Sequence, residues 1–104
     1  TAARVPIENS HAVSINLGLE KNFDLHEIFD VLKKAPGLVV VDDIKNEIYP
    51  LPTEATGKDD VFVGRIRLDY SFDNAINMWV VADNVRKGAA TNAVENAELL
   101  LKYI

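Results

Sequence analysis

With 104 residues, 48% of them hydrophobic and 26% charged, the chain has the apolar material for one packed core, and residues 1–104 are expected to form a single domain or part of one. A formal net charge of −5 and a pI near 4.9 argue against a nucleic-acid partner, which needs clustered Lys and Arg to release counterions from phosphates. The absence of cysteine excludes disulfides, thiolate metal sites and a thiol nucleophile within the chain, and two histidines are too few for a histidine-rich metal cluster.

Near its start the chain carries Arg4-Val5-Pro6-Ile7-Glu8-Asn9-Ser10-His11, an anion receptor and a titratable ring at one end of an apolar strand. From there His11, Val13, Ile15, Leu17 and Leu19 alternate with Ala12, Ser14, Asn16 and Glu20, so the imidazole starts on the face expected to be buried. A straight strand would hold Arg4 and His11 about 23 Å apart and on opposite faces. They share a site only if the chain bends between them. Pro6, with its fixed φ and missing donor, and the polar run Glu8-Asn9-Ser10 are suited to that bend. Two readings follow: a bent connector bringing Arg4 and His11 to one pocket, or a solvated arginine near a core or edge histidine with satisfied nitrogens.

Asp24 is expected to cap a helix with Glu27 returning the bond, and Leu25, Ile28, Phe29 and Leu32 form its apolar stripe. The helix must end before Pro36-Gly37, and His26 in its first turn faces solvent without a role. Leu38-Val39-Val40-Val41 has the pattern of a strand covered on both faces, ended by Asp42-Asp43. Ile44 to Asp60, with Pro50, Pro52 and Gly57, is a long connection, either an apolar arm packing against something else or a surface Ω-loop.

Val61 to Tyr70 alternates, with Phe62, Ile66, Leu68 and Tyr70 on one face and Val61, Val63, Arg65, Arg67 and Asp69 on the other, the arginine face being solvated or an oligomer contact. Asp73-Asn74 turns the chain into Ala75 to Ala82, where Ile76, Met78 and Val80 alternate with Asn77, Trp79 and Val81. Trp79 fits an interface anchor or a half-exposed core position. A final helix begins near Asp83-Asn84 and runs to the end, its stripe of Ala89, Ala90, Ala93, Val94, Ala97, Leu100 and Leu101 small enough in its first half for close approach to another backbone. Arg86 and Lys87 answer an anion or a partner carboxylate, or lie in the preceding loop facing water. The order predicts an α+β domain with a mixed or antiparallel sheet and helices on one side. No Gly-rich phosphate loop follows a strand, and no apolar run is long enough to cross a bilayer, so the expected compartment is the cytosol.

Several of these segments together resemble the carboxy-terminal part of aspartate-semialdehyde dehydrogenase: Arg4-Val5-Pro6 with His11, Gly37 to Asp43, Tyr49-Pro50-Leu51-Pro52, Gly57 to Arg67, and Trp79 to Ala90. The resemblance covers essentially the whole chain in order. It implies part of a glyceraldehyde-3-phosphate dehydrogenase-like C-terminal domain, in a family that converts aspartyl phosphate to aspartate semialdehyde with NADPH on the way to lysine, threonine and methionine. By the same resemblance Arg4 grips the substrate carboxylate, His11 is the general acid/base, and Asn84 lies against the nicotinamide end of the cofactor, although an Asn before a helix is also an ordinary cap. No metal is implied. The family's dinucleotide-binding half and nucleophilic Cys lie outside this chain, which is therefore expected to be inactive alone. The 84–104 helix is expected to pack on that half, and the arm and sheet face to contribute to a homodimer or homotetramer. The related acylglutamyl phosphate reductase and a non-catalytic α+β dimerisation or metabolite-binding module are the alternatives.

Overall fold

A computed structural model describes all 104 residues. Its centre is the antiparallel pair of β2 (His11–Gly18) and β5 (Ala75–Ala82), in register from His11 opposite Ala82 to Gly18 opposite Ala75. On one side β1 (Ala2–Ala3) pairs antiparallel with β2. On the other β4 (Val61–Leu68) pairs antiparallel with β5, and β3 (Leu38–Val40) adds in parallel beyond it. The result is a mixed five-stranded sheet in the order β1-β2-β5-β4-β3, in an α+β fold.

Helix α1 (Leu25–Lys34) starts as its sequence dictates. The Asp24 carboxylate accepts from His26 N at 2.8 Å while Glu27 accepts from Asp24 N at 3.2 Å, satisfying donors that no helical carbonyl reaches. Its stripe of Leu25, Ile28, Phe29 and Leu32 covers one face of the sheet over buried Val63, Ile66, Ile76 and Met78. The opposite face is crossed by the connection after β3. A tight bridge between Asp43 and Ile48 leads to fully buried Pro50, whose carbonyl accepts from Trp79 Nε1 at 3.0 Å, and then to the one-turn helix α2 (Pro52–Ala55), whose Ala55 packs on Ala12 and Val81. The connection is thus an arm bound to its own sheet, with Ile44, Ile48, Tyr49 and Leu51 left exposed.

Three local expectations are corrected. In β4 the register passes from Gly64 opposite Trp79 to Arg67 opposite Asn77, one extra residue that constitutes a bulge, and Arg65 takes the left-handed φ of 55°. Val63 and Ile66 therefore share the α1 face, whereas Phe62 and Gly64 lie on the arm face; the freed Ile66 N–H donates to Asp42 Oδ2 at 2.8 Å. His11 keeps the predicted parity but is exposed, and it is Ala12, beneath Ala55, that is buried. Val39 is not covered on its arm-side face, because the arm crosses the sheet over β5 and β2 and leaves the β3 edge open.

The last segment begins with a π-helical turn, Arg86–Ala90, where Ala90 N donates to Val85 O at 3.2 Å, and continues as α3 (Thr91–Leu101). No residue of α3 is buried, and Leu100 and Leu101 are 62% and 70% exposed. No helix is long and apolar enough to cross a membrane.

Candidate functional site

The β1–β2 hairpin resolves how Arg4 and His11 come together. Ala2 faces Val13 and Ala3 faces Ala12, so Arg4, just past the end of β1, leaves the hairpin beside His11, the first residue of β2. The intervening connector bends where its sequence allows. Ile7 N donates to Val5 O at 2.8 Å around Pro6, whose ring presets the φ of such a turn, and Ser10 adopts a left-handed φ of 81° just before β2. Arg4, His11 and Asn84 line one open cleft of about 280 Å³, with Val5, Ile7 and Ser10 completing its wall. Arg4 makes no ion pair, so its guanidinium is available to an anion entering the cleft.

Asn84 reaches the site from the end of β5. Its Oδ1 accepts from Ser10 N at 2.9 Å, which leaves its NH₂ group as the free donor. It is not the cap of the following turn. That role belongs to Asp83, whose carboxylate accepts from Gly57 N at 2.8 Å, Val85 N at 2.9 Å and Arg86 N at 3.2 Å while only 4% exposed. These bonds, led by the one from Gly57, hold the Asp83 carboxyl below the usual carboxylate range. Asp83 is a residue that sequence reasoning missed as a support of the site: adjacent Asp and Asn have the same capping chemistry, and only the fold tells them apart.

A second acidic support lies beside it. Arg86 forks onto Asp59 with Nε–Oδ1 at 2.8 Å and Nη2–Oδ2 at 3.1 Å, and Thr91 donates to Asp59 Oδ1 at 2.7 Å. The Arg86 hydrogen bond, then that of Thr91, pulls the Asp59 carboxyl down to about 2. Because the folded value lies below the ordinary 3.8, the linked stabilisation is full above that value and disappears as pH falls through the folded value. The denaturation midpoint is therefore expected to drop between pH 4 and pH 2, and less steeply in Asp59→Asn; equal slopes in the two proteins would show that this pair contributes nothing. Lys87 is paired with Glu95 of α3, so both cations of the turn have carboxylate partners within the chain.

A separate groove of about 350 Å³ lies on the arm face, lined by Tyr49, Pro50, Leu51 and Trp79 and edged by Arg65 and Arg67. Its lining holds no histidine and no carboxylate. No group of three or more His, Asp or Glu side chains is placed to hold a metal ion.

Residues 1–87 match the family model described as "Semialdehyde dehydrogenase, dimerisation domain". Among curated relatives, the aspartate-semialdehyde dehydrogenase of Aquifex aeolicus is 53% identical over 102 residues, covering 98% of this chain and 30% of the relative. That of Bacillus subtilis is 44% identical over 103 residues, with the same two coverages. The crystal structure of aspartate semialdehyde dehydrogenase II complexed with ASA from Vibrio cholerae superimposes with a TM-score of 0.83 at 43% identity, over 95% of this chain and 29% of that one. The chain thus spans about 30% of the length of the curated relatives it matches.

Proposed function

The chain belongs to the semialdehyde dehydrogenase family, within the dimerisation domain of its aspartate-semialdehyde dehydrogenases, and from this premise we propose that it forms the substrate-binding and proton-transfer part of such an enzyme in amino-acid biosynthesis. The observation that carries the proposal is the convergence of Arg4, His11 and Asn84 on one cleft. Arg4 binds the carboxylate of aspartyl phosphate or aspartate semialdehyde through a fork of two parallel N–H donors. His11, exposed at the hairpin mouth, takes a proton from the attacking thiol and returns one to the reacting oxygen. The thiol comes from the remainder of the enzyme, since this chain has no cysteine. The thiol displaces phosphate from the acyl phosphate to give a thioester, and NADPH, when bound, would supply the hydride that converts this thioester to the aldehyde and releases the thiol. This chain has no phosphate-binding loop, and what it offers that cofactor is the free NH₂ group of Asn84, a donor for the carboxamide oxygen at its nicotinamide end.

The same premise gives a use to the exposed apolar surfaces. The groove around Trp79, Tyr49 and Leu51 meets a second copy of the domain, and the uncovered helix α3 packs on the nucleotide-binding half of a cytosolic homodimer or homotetramer. The test is reconstitution. This chain mixed with a separately produced nucleotide-binding half should reduce NADP with aspartate semialdehyde and phosphate, and the chain alone should not; a folded mixture that binds NADP yet shows no turnover overturns the proposal. In the reconstituted enzyme Arg4→Lys should raise KM for aspartate semialdehyde at least about tenfold, because the charge stays but the fork is lost. An unchanged KM removes Arg4 from the substrate.

A further inference from the structure

We propose that Thr56, a residue of the arm outside the Arg4–His11–Asn84 cleft, is a positioning residue for His11 that acts through Ser10. The inference rests on the role of His11 given above. Its starting point is the backbone of Ser10, whose φ of 81° is a conformation that L-residues other than Asn, Asp or His rarely adopt. Such a residue persists only when its surroundings hold it. Ser10 is held at two atoms: its N–H by Asn84 Oδ1 at 2.9 Å, and its hydroxyl by Thr56 Oγ1 at 2.8 Å.

The direction of the second bond follows from counting protons. Thr56 Oγ1 donates its single proton to Pro52 O at 3.3 Å and therefore accepts from Ser10, which fixes the Ser10 side chain as well as its backbone. Both clamps rest on one carboxylate. Asp83 accepts from the N–H of Gly57, next to Thr56, and is itself next to Asn84. His11 follows Ser10 directly, so a change in the Ser10 dihedrals reorients the imidazole relative to Arg4. Thr56 is not among the residues lining the cleft, and the bond to Ser10 is the one its side chain makes to a residue that does line it.

Thr56→Val keeps the shape and removes the hydroxyl at an exposed position, whereas Thr56→Ser keeps the hydroxyl. Two measurements decide. In the chain itself, Thr56→Val should accelerate hydrogen exchange at the Ser10 amide and move the NMR signals of the His11 ring, with those of His26 unmoved and Thr56→Ser behaving as the parent. In the reconstituted enzyme, Thr56→Val should lower kcat roughly 10- to 100-fold, the size expected of a misplaced catalytic group, with KM for aspartate semialdehyde within about twofold and with rescue by Thr56→Ser. Parent-like exchange and His11 signals in Thr56→Val overturn the inference, as does a parental kcat in that variant. If the unsubstituted enzyme has no activity, the functional reading fails by itself, and the exchange and ring signals still decide whether Thr56 sets His11.

Discussion

His11→Ala in the reconstituted enzyme is expected to lower kcat by about 10²- to 10⁴-fold, the range that a positioned general acid/base supplies. KM for aspartate semialdehyde should change far less, since the substrate carboxylate is assigned to Arg4, beside His11 in the cleft. The comparison that gives the result its meaning is His26→Ala. His26 is also exposed, but it sits in the first turn of α1, where its backbone N–H serves the Asp24 cap and its ring belongs to no part of the cleft. Parental kcat in His26→Ala with a large loss in His11→Ala places the proton transfer at the hairpin. Equal retention in both variants would assign it to a group outside this chain and leave Arg4 and Asn84 as binding residues alone.

That Arg4 and His11 could share one cleft was legible from the sequence as one of two readings, because the bend had a cause in it. Pro6 and the Glu8-Asn9-Ser10 run cannot continue a strand comfortably, and the bend they form brings two residues that a straight strand would hold on opposite faces to one cleft. Helix α1 and the alternation of β5 were legible for similar reasons, since capping and periodicity are local. The bulge in β4 was not. A lone Gly64 inside a strand is only a weak mark of a bulge, the alternation around it reads as unbroken, and the group that takes up the freed Ile66 N–H is the distant Asp42, two residues past β3. The supports of the site were hidden too, because Ser10 meets Thr56 across 46 positions of sequence and Gly57 meets Asp83 across 26, through bonds that no local pattern encodes. Asn84 was read as a cofactor contact or an ordinary cap and Asp83 was given no role, and the fold separates them into an amide that faces the cleft and a buried carboxylate that organises loops.

Gly64→Ala is expected to destabilise the domain by about 3 kcal/mol or more, at the upper end of the range for overpacking a filled interior. A Cβ at Gly64 would overlap the Val41 carbonyl oxygen and stand 2.5 Å from Pro50 Cδ. Neither neighbour is the free end of a flexible side chain. Val41 is tied into the sheet through its N–H on Val63 O at 2.8 Å, and Pro50 is fully buried with its carbonyl engaged by the Trp79 indole. The added methyl must push either the β3 edge or the arm away from the sheet. For a domain of this size, whose total stability is on the order of 5–15 kcal/mol, such a loss lowers the melting temperature by roughly 12–20 °C. Gly18→Ala, whose new Cβ meets only Phe72 Cε1 at 3.4 Å, should lie close to the parent and separates overlap from the general effect of removing a glycine. Since the arm contributes Pro50 and Leu51 to the apolar groove and Thr56 to the clamp on Ser10, its displacement should also change Trp79 fluorescence and weaken self-association measured by light scattering. A Gly64→Ala protein melting within two degrees of the parent would mean that the arm is not held against the sheet at Pro50, and with that both the groove and the support of His11 through Thr56 would lose their foundation.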